Sequence, residues 1–433
     1  MKIKLAALVL FVTFCTYVFV SFGSALNTSP IPPKTKRVLI NFRAKSPAVN
    51  RVRTLAAISA KFVSSISGKG DEFLVIVADV PIEVLDSGSW YWFNTPTTDQ
   101  AIMSLIPNDL KPEIIKVEED YRTRWIEDQV SFQATPFPTV AQVMAQLPSF
   151  SITSARPEIP WGIDRVHAPA AWQFTEGKGV RVAVFDTGID SSHKDLLGQV
   201  DGGYDAISKS TLKEAWQDQN GHGTHVSGTI AAIKDGKGVV GVAPKARLYA
   251  VRVLDADGSG SLSDVIDGII WCANNGMQVA NMSLGSGQPS DTMQRALRYA
   301  MYGGVITVAA SGNSGGSVGY PGAYPEVIGV SASAPDDTLA PFSSRGPEVD
   351  FIAPGVNVVS CKMGGGYVSF SGTSMATPHV TGLTALAVSQ GWVGLYGPDG
   401  VIGQLKKSAI KLPGLKDTDQ GAGMIDASKL VRE

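Results

Sequence analysis

From Pro157 onward the chain alternates short, mostly apolar runs with helical stretches, and that alternation limits the fold more than any other feature. The strand-type runs are 180–185, 247–253, 279–284, 305–309 and 327–331, and helix-type stretches fall at 223–233, 263–275, 291–302 and 375–389. Runs that are apolar at nearly every position belong to strands buried on both faces, so the pattern implies a parallel sheet with helices on both sides, an α/β fold. In such sheets the chemistry gathers beyond the carboxyl ends of the strands. Glycine marks off the same segment, with 4 glycines in residues 1–156 and 42 in 157–433. A domain boundary near residue 156 follows, and a chain of 433 residues has room for it.

The first 156 residues read differently. Met1-Lys2-Ile3-Lys4 is a basic start, Leu5 to Phe22 a nearly unbroken apolar run, and Gly23-Ser24-Ala25 a small-residue cleavage pattern. Residues 1–25 are therefore expected to be a Sec-type signal peptide cut after Ala25. The alternative is an uncleaved anchor, since the 18 apolar residues can just cross a bilayer. Residues 26–35 form a Pro-containing linker. Over 36–124 the expected order is strand (38–42), helix (about 49–66), strand (73–77), strand near Trp90-Tyr91-Trp92, helix (99–105) and strand (114–117). That order is the split β-α-β, ferredoxin-like α+β arrangement, which names no function by itself. Residues 125–156 read as a connector with one short helix near 140–147.

Charge excludes one class of partner. With 37 Lys+Arg against 39 Asp+Glu the chain offers no electrostatic footprint for nucleic acid. The cysteines are only Cys15, Cys272 and Cys361, spaced for neither a zinc site nor a disulfide framework. The last two read as small buried apolar residues.

Three segments carry the chemistry. Val182-Ala183-Val184-Phe185-Asp186-Thr187-Gly188 is an apolar strand that ends in a carboxylate and a turn. Asn220-Gly221-His222-Gly223-Thr224-His225 sets a histidine between glycines at a helix start. Phe370-Ser371-Gly372-Thr373-Ser374-Met375 sets a serine at the opening of an apolar helix. A serine nucleophile needs a base to take its proton and a carboxylate to orient that base, and Ser374, His222 and Asp186 can supply the three roles. Asn313, after the strand-and-turn segment Val308-Ala309-Ala310-Ser311-Gly312, offers an oxyanion donor beside the Ser374 N–H. Each piece alone is an ordinary cap or turn residue; their joint occurrence is what carries weight. A metal-dependent hydrolase built on Asp186, Asp190, His193 and His222 is the rival reading.

In the chain order Asp, His, Ser, these segments resemble the signatures of the subtilisin-like serine proteases, the subtilases. The resemblance runs from Ile159-Pro160-Trp161-Gly162 to about Ala427 and includes Asn281-Met282-Ser283-Leu284-Gly285 and Gly319-Tyr320-Pro321-Gly322. It implies a catalytic domain over 157–433 with Asp186 as orienting acid, His222 as base and then acid, Ser374 as nucleophile and Asn313 as oxyanion donor. It implies a substrate strand clamped between Gly258-Ser259-Gly260 and Ser283-Leu284-Gly285. It also implies an uncharged S1 pocket that includes Ala310, Gly312 and Gly319, hence a broad or apolar P1 preference.

The same resemblance implies a structural Ca²⁺ held by Asp195, Asp235 and the backbone carbonyls of Ile233, Lys237 and Val239, although Pro157 stands where the family often has a glutamine. Residues 36–124 would be a propeptide that assists folding and inhibits until it is cleaved, with the cut between about Tyr121 and Arg156. The expected product is a secreted, monomeric endopeptidase that acts on proteins or peptides and has no stable membrane association once the signal is removed. His225 is expected to be structural, and His193 to lie at the surface or behind the site.

Overall fold

The computed structural model describes residues 35–43, 46–57, 60–69, 74–81, 98–126, 159–397, 400–430 and 432. The signal segment, the strand expected near Trp90-Tyr91-Trp92, the helix expected near 140–147, and Pro157 with Glu158 lie outside these residues.

The amino-terminal part is a four-stranded antiparallel sheet of β1 (Thr35–Phe42), β2 (Lys61–Ser67), β3 (Leu74–Pro81) and β4 (Ile114–Glu119), ordered β2-β3-β1-β4. Two helices, α1 (Ala48–Ala57) and α2 (Thr98–Leu105), complete the β-α-β-β-α-β order. The order matches expectation, but its second strand does not. The helix expected to reach Ile66 stops at Ala57, and Lys61–Ser67 pairs antiparallel with β3. β-Branched residues and serines crowd this run, and they fit a pleated edge better than a helical turn. The strand expected at 73–77 is therefore the third.

Alternation along β1 divides two cores. Val38, Ile40 and Phe42 pack with Ile102, Ile106 and Leu110. Leu39, with Val75 and Val77 of β3, faces the other way and joins one apolar cluster with Ile266, Ile270 and Leu297 of the larger domain.

That domain is built on seven strands: β6 (Arg181–Asp186), β7 (Val200–Asp205), β8 (Arg247–Arg252), β10 (Val279–Met282), β11 (Ile306–Ala310), β12 (Val327–Ser333) and β13 (Val349–Pro354). Every pairing among them is parallel, in the order β13-β12-β11-β10-β6-β8-β7. Strands β6, β10, β11 and β12 are buried along almost their whole length, in keeping with their largely apolar sequences. Both edge strands escaped the sequence reading. β7 reads Val-Asp-Gly-Gly-Tyr-Asp and β13 ends in proline, compositions that suit an edge and look like loop.

The chain leaves β6 toward β8 and β7 on one side and later adds β10 to β13 on the other. The carboxyl ends of β6 and β10 thus flank the point where strand order reverses, where a ligand crevice opens. Four helices frame it: α3 (His222–Ala231), α4 (Leu262–Asn274), α5 (Asp291–Tyr302) and α6 (Thr373–Ser389). α6 is buried from Thr373 to Ala387, which accounts for a sequence free of Asp, Glu, Lys and Arg.

The small sheet docks on α4 and α5 through their N-terminal ends. Glu118 accepts hydrogen bonds from the backbone N–H of Asp291 and Thr292 at 2.8 and 3.1 Å and from Ser290 Oγ at 2.8 Å. Asp120 accepts from Ser263 N–H at 2.8 Å and Ser263 Oγ at 2.7 Å. Each carboxylate satisfies amides that the helix leaves unpaired and meets the positive end of its dipole.

Candidate active site

Asp186 is the last residue of β6 and has no solvent exposure. Its Oδ1 accepts from Thr187 N–H at 2.8 Å, and both carboxylate oxygens lie 2.8–2.9 Å from His222 Nδ1. An acceptor on that side makes Nδ1 the protonated nitrogen and leaves Nε2 with the lone pair. His222 is the first residue of α3. Gly223 makes the approach feasible, because a Cβ there would lie 2.1 Å from Gly188 O and 3.0 Å from Asp186 Cβ. Burial by itself would push the imidazole pKa down. The Asp186 charge and hydrogen bond, reinforced by Asp218, more than offset this and hold it above the ordinary 6.5.

Ser374 occupies the second position of α6, where the N–H has no partner within the helix. Its Oγ donates to Ser283 O at 3.1 Å, and among the described residues no hydrogen bond joins it to His222. The backbone is held more firmly. Pro378 inside α6 supplies no N–H to the Ser374 carbonyl, which accepts instead from Ser283 Oγ at 2.8 Å. Asn313 Oδ1 accepts from Thr373 N–H and Thr373 Oγ1, both at 2.8 Å, so its Nδ2 is the group turned toward the crevice as a donor.

One cleft unites these parts. Ser374, Thr373, Asn313, Gly312, Ala310, Gly319, Leu284 and Gly285 line it, together with Ser286, Gly287, Ser314, Ser317 and Ser344. None of these side chains is charged. The serine lining escaped the sequence reading, and Ser344 arrives from a distant loop with no local signal to mark it.

The opposite edge of the cleft is already occupied by the chain itself. β5 (Arg122–Arg124) pairs antiparallel with β9 (Ser259–Ser261), register Thr123 to Gly260. Beyond β5 the N–H of Trp125 donates to Gly258 O and its C=O accepts from Gly285 N–H, both at 2.9 Å. The Trp125 indole N–H donates to Gly260 O, also at 2.9 Å. Trp125 and Ile126, expected to begin the connector, are instead buried in one cluster with Leu254, Leu262 and Leu284. An aromatic ring inside an apolar pocket outweighs the loop-like composition that follows it.

Residues 177–423 match the profile described as the Subtilase family. The chain belongs to the subtilase family. This subtilase is a serine endopeptidase of the subtilisin type. It is 46% identical to the M-protease of Shouchella clausii (strain KSM-K16) over 286 residues, 65% of this chain and 72% of that one. It is 47% identical to Subtilisin Savinase of Lederbergia lenta over 278 residues, 63% of this chain and 99% of that one. With the Thermostable alkaline protease of Halalkalibacterium halodurans the identity is 50% over 345 residues, 78% and 88% of the two chains.

The remaining polar groups of this subtilase fall into place around the cleft. His225 is buried, its Nε2 2.9 Å from Val358 O, and burial pushes its pKa down to about 3. His193 is also buried, which corrects the surface placement. Its Nε2 lies 2.8 Å from Gly366 O, and its Nδ1 accepts from Asp195 N–H at 3.2 Å. Asp190 turns to Ser192 and to Gly364 N–H, so it does not join His193, Asp186 and His222 around one point, and the metal-hydrolase arrangement is not formed. Cys272 and Cys361 are free and buried.

The residues expected to hold Ca²⁺ lie together. Asp195 Oδ2 accepts from Val239 N–H at 2.9 Å and Tyr367 OH at 2.8 Å, and Asp235 Oδ1 accepts from Lys237 N–H at 2.9 Å. At Gly238, φ +61°, a Cβ would lie 2.2 Å from Asp195 Oδ2, so the loop 233–239 passes the carboxylate as closely as backbone can. Two carboxylates and three carbonyls, all hard oxygens, fit a hard divalent cation.

Proposed function

We propose that this subtilase is an exported endopeptidase that processes itself, with residues 36–124 as its propeptide and 157–433 as its catalytic domain. The observation that carries this reading is Trp125, whose N–H and C=O bridge Gly258 and Gly285 across the cleft that holds Ser374. A segment clamped by strand addition is what a bound peptide looks like, and here it belongs to the same chain. Trp125 and Ile126 both donate a backbone N–H to Gly258 O, and the proposed first cut lies beyond Ile126, in the connector.

In this mechanism Ser374 Oγ turns from Ser283 O toward His222 Nε2, surrenders its proton there and attacks the scissile carbonyl. Asp186 keeps Nδ1 protonated and stabilises the imidazolium. The oxyanion meets Asn313 Nδ2 and the Ser374 N–H at the positive end of α6. Collapse expels the amine, which takes the proton from Nε2, and leaves an acyl-enzyme. Water, activated by the same nitrogen, hydrolyses it. An uncharged pocket of glycines, serines and Ala310 supports a broad or apolar P1 preference. Export rests on residues 1–25, and among the described residues no helix is long and apolar enough to cross a membrane. A bound Ca²⁺ would brace the loop 233–239 against Asp195 and take no part in the chemistry.

Ser374→Ala is expected to leave the purified chain full-length and unlabelled by a fluorophosphonate, while the wild type cleaves itself and is labelled at Ser374. Self-cleavage by purified Ser374→Ala, or a label elsewhere, would overturn the assignment.

A further inference from the structure

Asp218 lies in the loop before α3, is buried, and takes five donors on one carboxylate. Oδ1 accepts from Thr187 Oγ1 at 2.8 Å and from the N–H groups of Asn220 and Gly221 at 2.9 Å each. Oδ2 accepts from Thr224 N–H at 2.9 Å and Thr224 Oγ1 at 2.5 Å. Two of these donors reach directly into the site. Thr187 follows Asp186, and its Oγ1 lies 3.2 Å from Asp186 Oδ1 as well, so one hydroxyl spans both carboxylates. The same Oγ1 accepts from Gly223 N–H at 3.3 Å, the residue after His222. Thr224 belongs to the first turn of the helix that His222 begins.

We propose that Asp218 is a positioning residue of the proteolytic site: acting through Thr187 and the first turn of α3, it fixes the Asp186 carboxylate against His222 and offsets the helix dipole that would disfavour the imidazolium. The proposal rests on the roles assigned to Asp186, His222 and Ser374 above. An elementary conflict motivates it. A base at a helix N-terminus sits in a positive field, which opposes the protonated form that proton transfer must create. Asp186 alone faces the ring edge; Asp218 sits at the helix end, where the opposing field arises, and its charge also raises the His222 pKa. Among the described residues the titratable groups facing His222 are Asp186 from β6, Asp218 from this loop and His225 one turn along α3, which burial keeps neutral.

The test uses processed enzyme and a small peptide substrate. Asp218→Asn is expected to lower kcat by roughly tenfold to a hundredfold, with KM within about twofold, because the reacting groups lose their registration while the substrate clamp is untouched. The acid limb of kcat/KM moves to lower pH by roughly half a unit or more, since the imidazolium loses a stabilising negative charge. Asn presents N–H groups to N–H donors here, so a second pair guards against a folding failure. Thr187→Val removes the spanning hydroxyl and should reduce kcat by about tenfold, and Thr187→Ser, which restores it, should recover most of the loss. A folded Asp218→Asn with lowered Tm but the wild-type kcat and acid limb would make Asp218 a mere structural cap and overturn the proposal. If Asp218→Asn does not fold, Thr187→Val at wild-type kcat does the same. Both outcomes are distinct from failure of the underlying reading, which would appear as wild-type enzyme not labelled at Ser374.

Discussion

In the proposed mechanism His222 is a base in a place that works against it. Burial disfavours its charged form, and as the first residue of α3 it meets the positive end of the helix dipole. The Asp186 charge and hydrogen bond, with the Asp218 charge beside them, oppose this and leave the pKa raised above 6.5. The sign of the consequence is fixed. Nε2 accepts a proton only while the ring is neutral, so a raised pKa shifts the working range upward. The acid limb of kcat/KM is expected to have its midpoint above pH 6.5, with activity rising toward alkaline pH, and a pH–rate profile on a peptide anilide measures it. His225 and His379, whose pKa values burial lowers to about 3 and about 4, stay neutral throughout and add no second limb. At this scale the sequence was informative where a residue sits in a distinctive neighbourhood. Gly221-His222-Gly223 and Gly372-Thr373-Ser374 advertise close approach; Asp218 looks like any loop aspartate, and among the residues that supply its five donors Thr187, 31 positions away, is brought to it only by folding.

Helix N-termini organise the molecule at the next scale. α3 begins with His222 and α6 holds Ser374 in its first turn, while α4 and α5 receive Asp120 and Glu118 from the small sheet. A carboxylate cap contributes about 1 kcal/mol, or roughly fivefold in an opening equilibrium. In the unprocessed Ser374→Ala chain, Glu118→Ala should speed amide exchange at Asp291 and Thr292 by about that factor and leave Ser263 unchanged; Asp120→Ala should do the reverse. Equal deprotection of both helices by either substitution would contradict independent caps, and hydrogen-exchange mass spectrometry separates the cases. The inner strands and all four helices were legible within a few residues, because burial on both faces leaves a run that nothing else produces. The edge strands β7 and β13, half polar and rich in glycine or ending in proline, were not. Lys61–Ser67 was read as helix because local pattern competes poorly with pairing partners supplied by β3.

At the scale of the whole molecule, the composition step at residue 156 and the cleft tell one story from two sides. The glycine-rich part supplies the parallel sheet and a crevice whose walls allow backbone to lie against backbone; the glycine-poor part supplies the strand that lies there, β5, and the indole that anchors it. Where the two meet could not be read from composition, since Trp125 and Ile126 belong by sequence to the connector and by packing to the cleft. The region around Asp195 binds distant parts of the larger domain in the same way. Its carboxylate joins the loop 233–239 to Tyr367, which lies 172 residues after Asp195, and a cation bridging Asp195, Asp235 and the loop carbonyls would close that loop only in the folded state. A ligand present at about a hundred times its Kd and bound only by the native state adds nearly 3 kcal/mol, worth roughly 5–10 °C in a domain of this size. Processed enzyme treated with excess chelator is therefore expected to melt about that much earlier in a calorimetric scan, with its initial rate on a peptide changed by less than about twofold, because no proposed ligand touches the cleft. Restoring Ca²⁺ should return the transition; a melting curve indifferent to the chelator would remove calcium from the account of this fold.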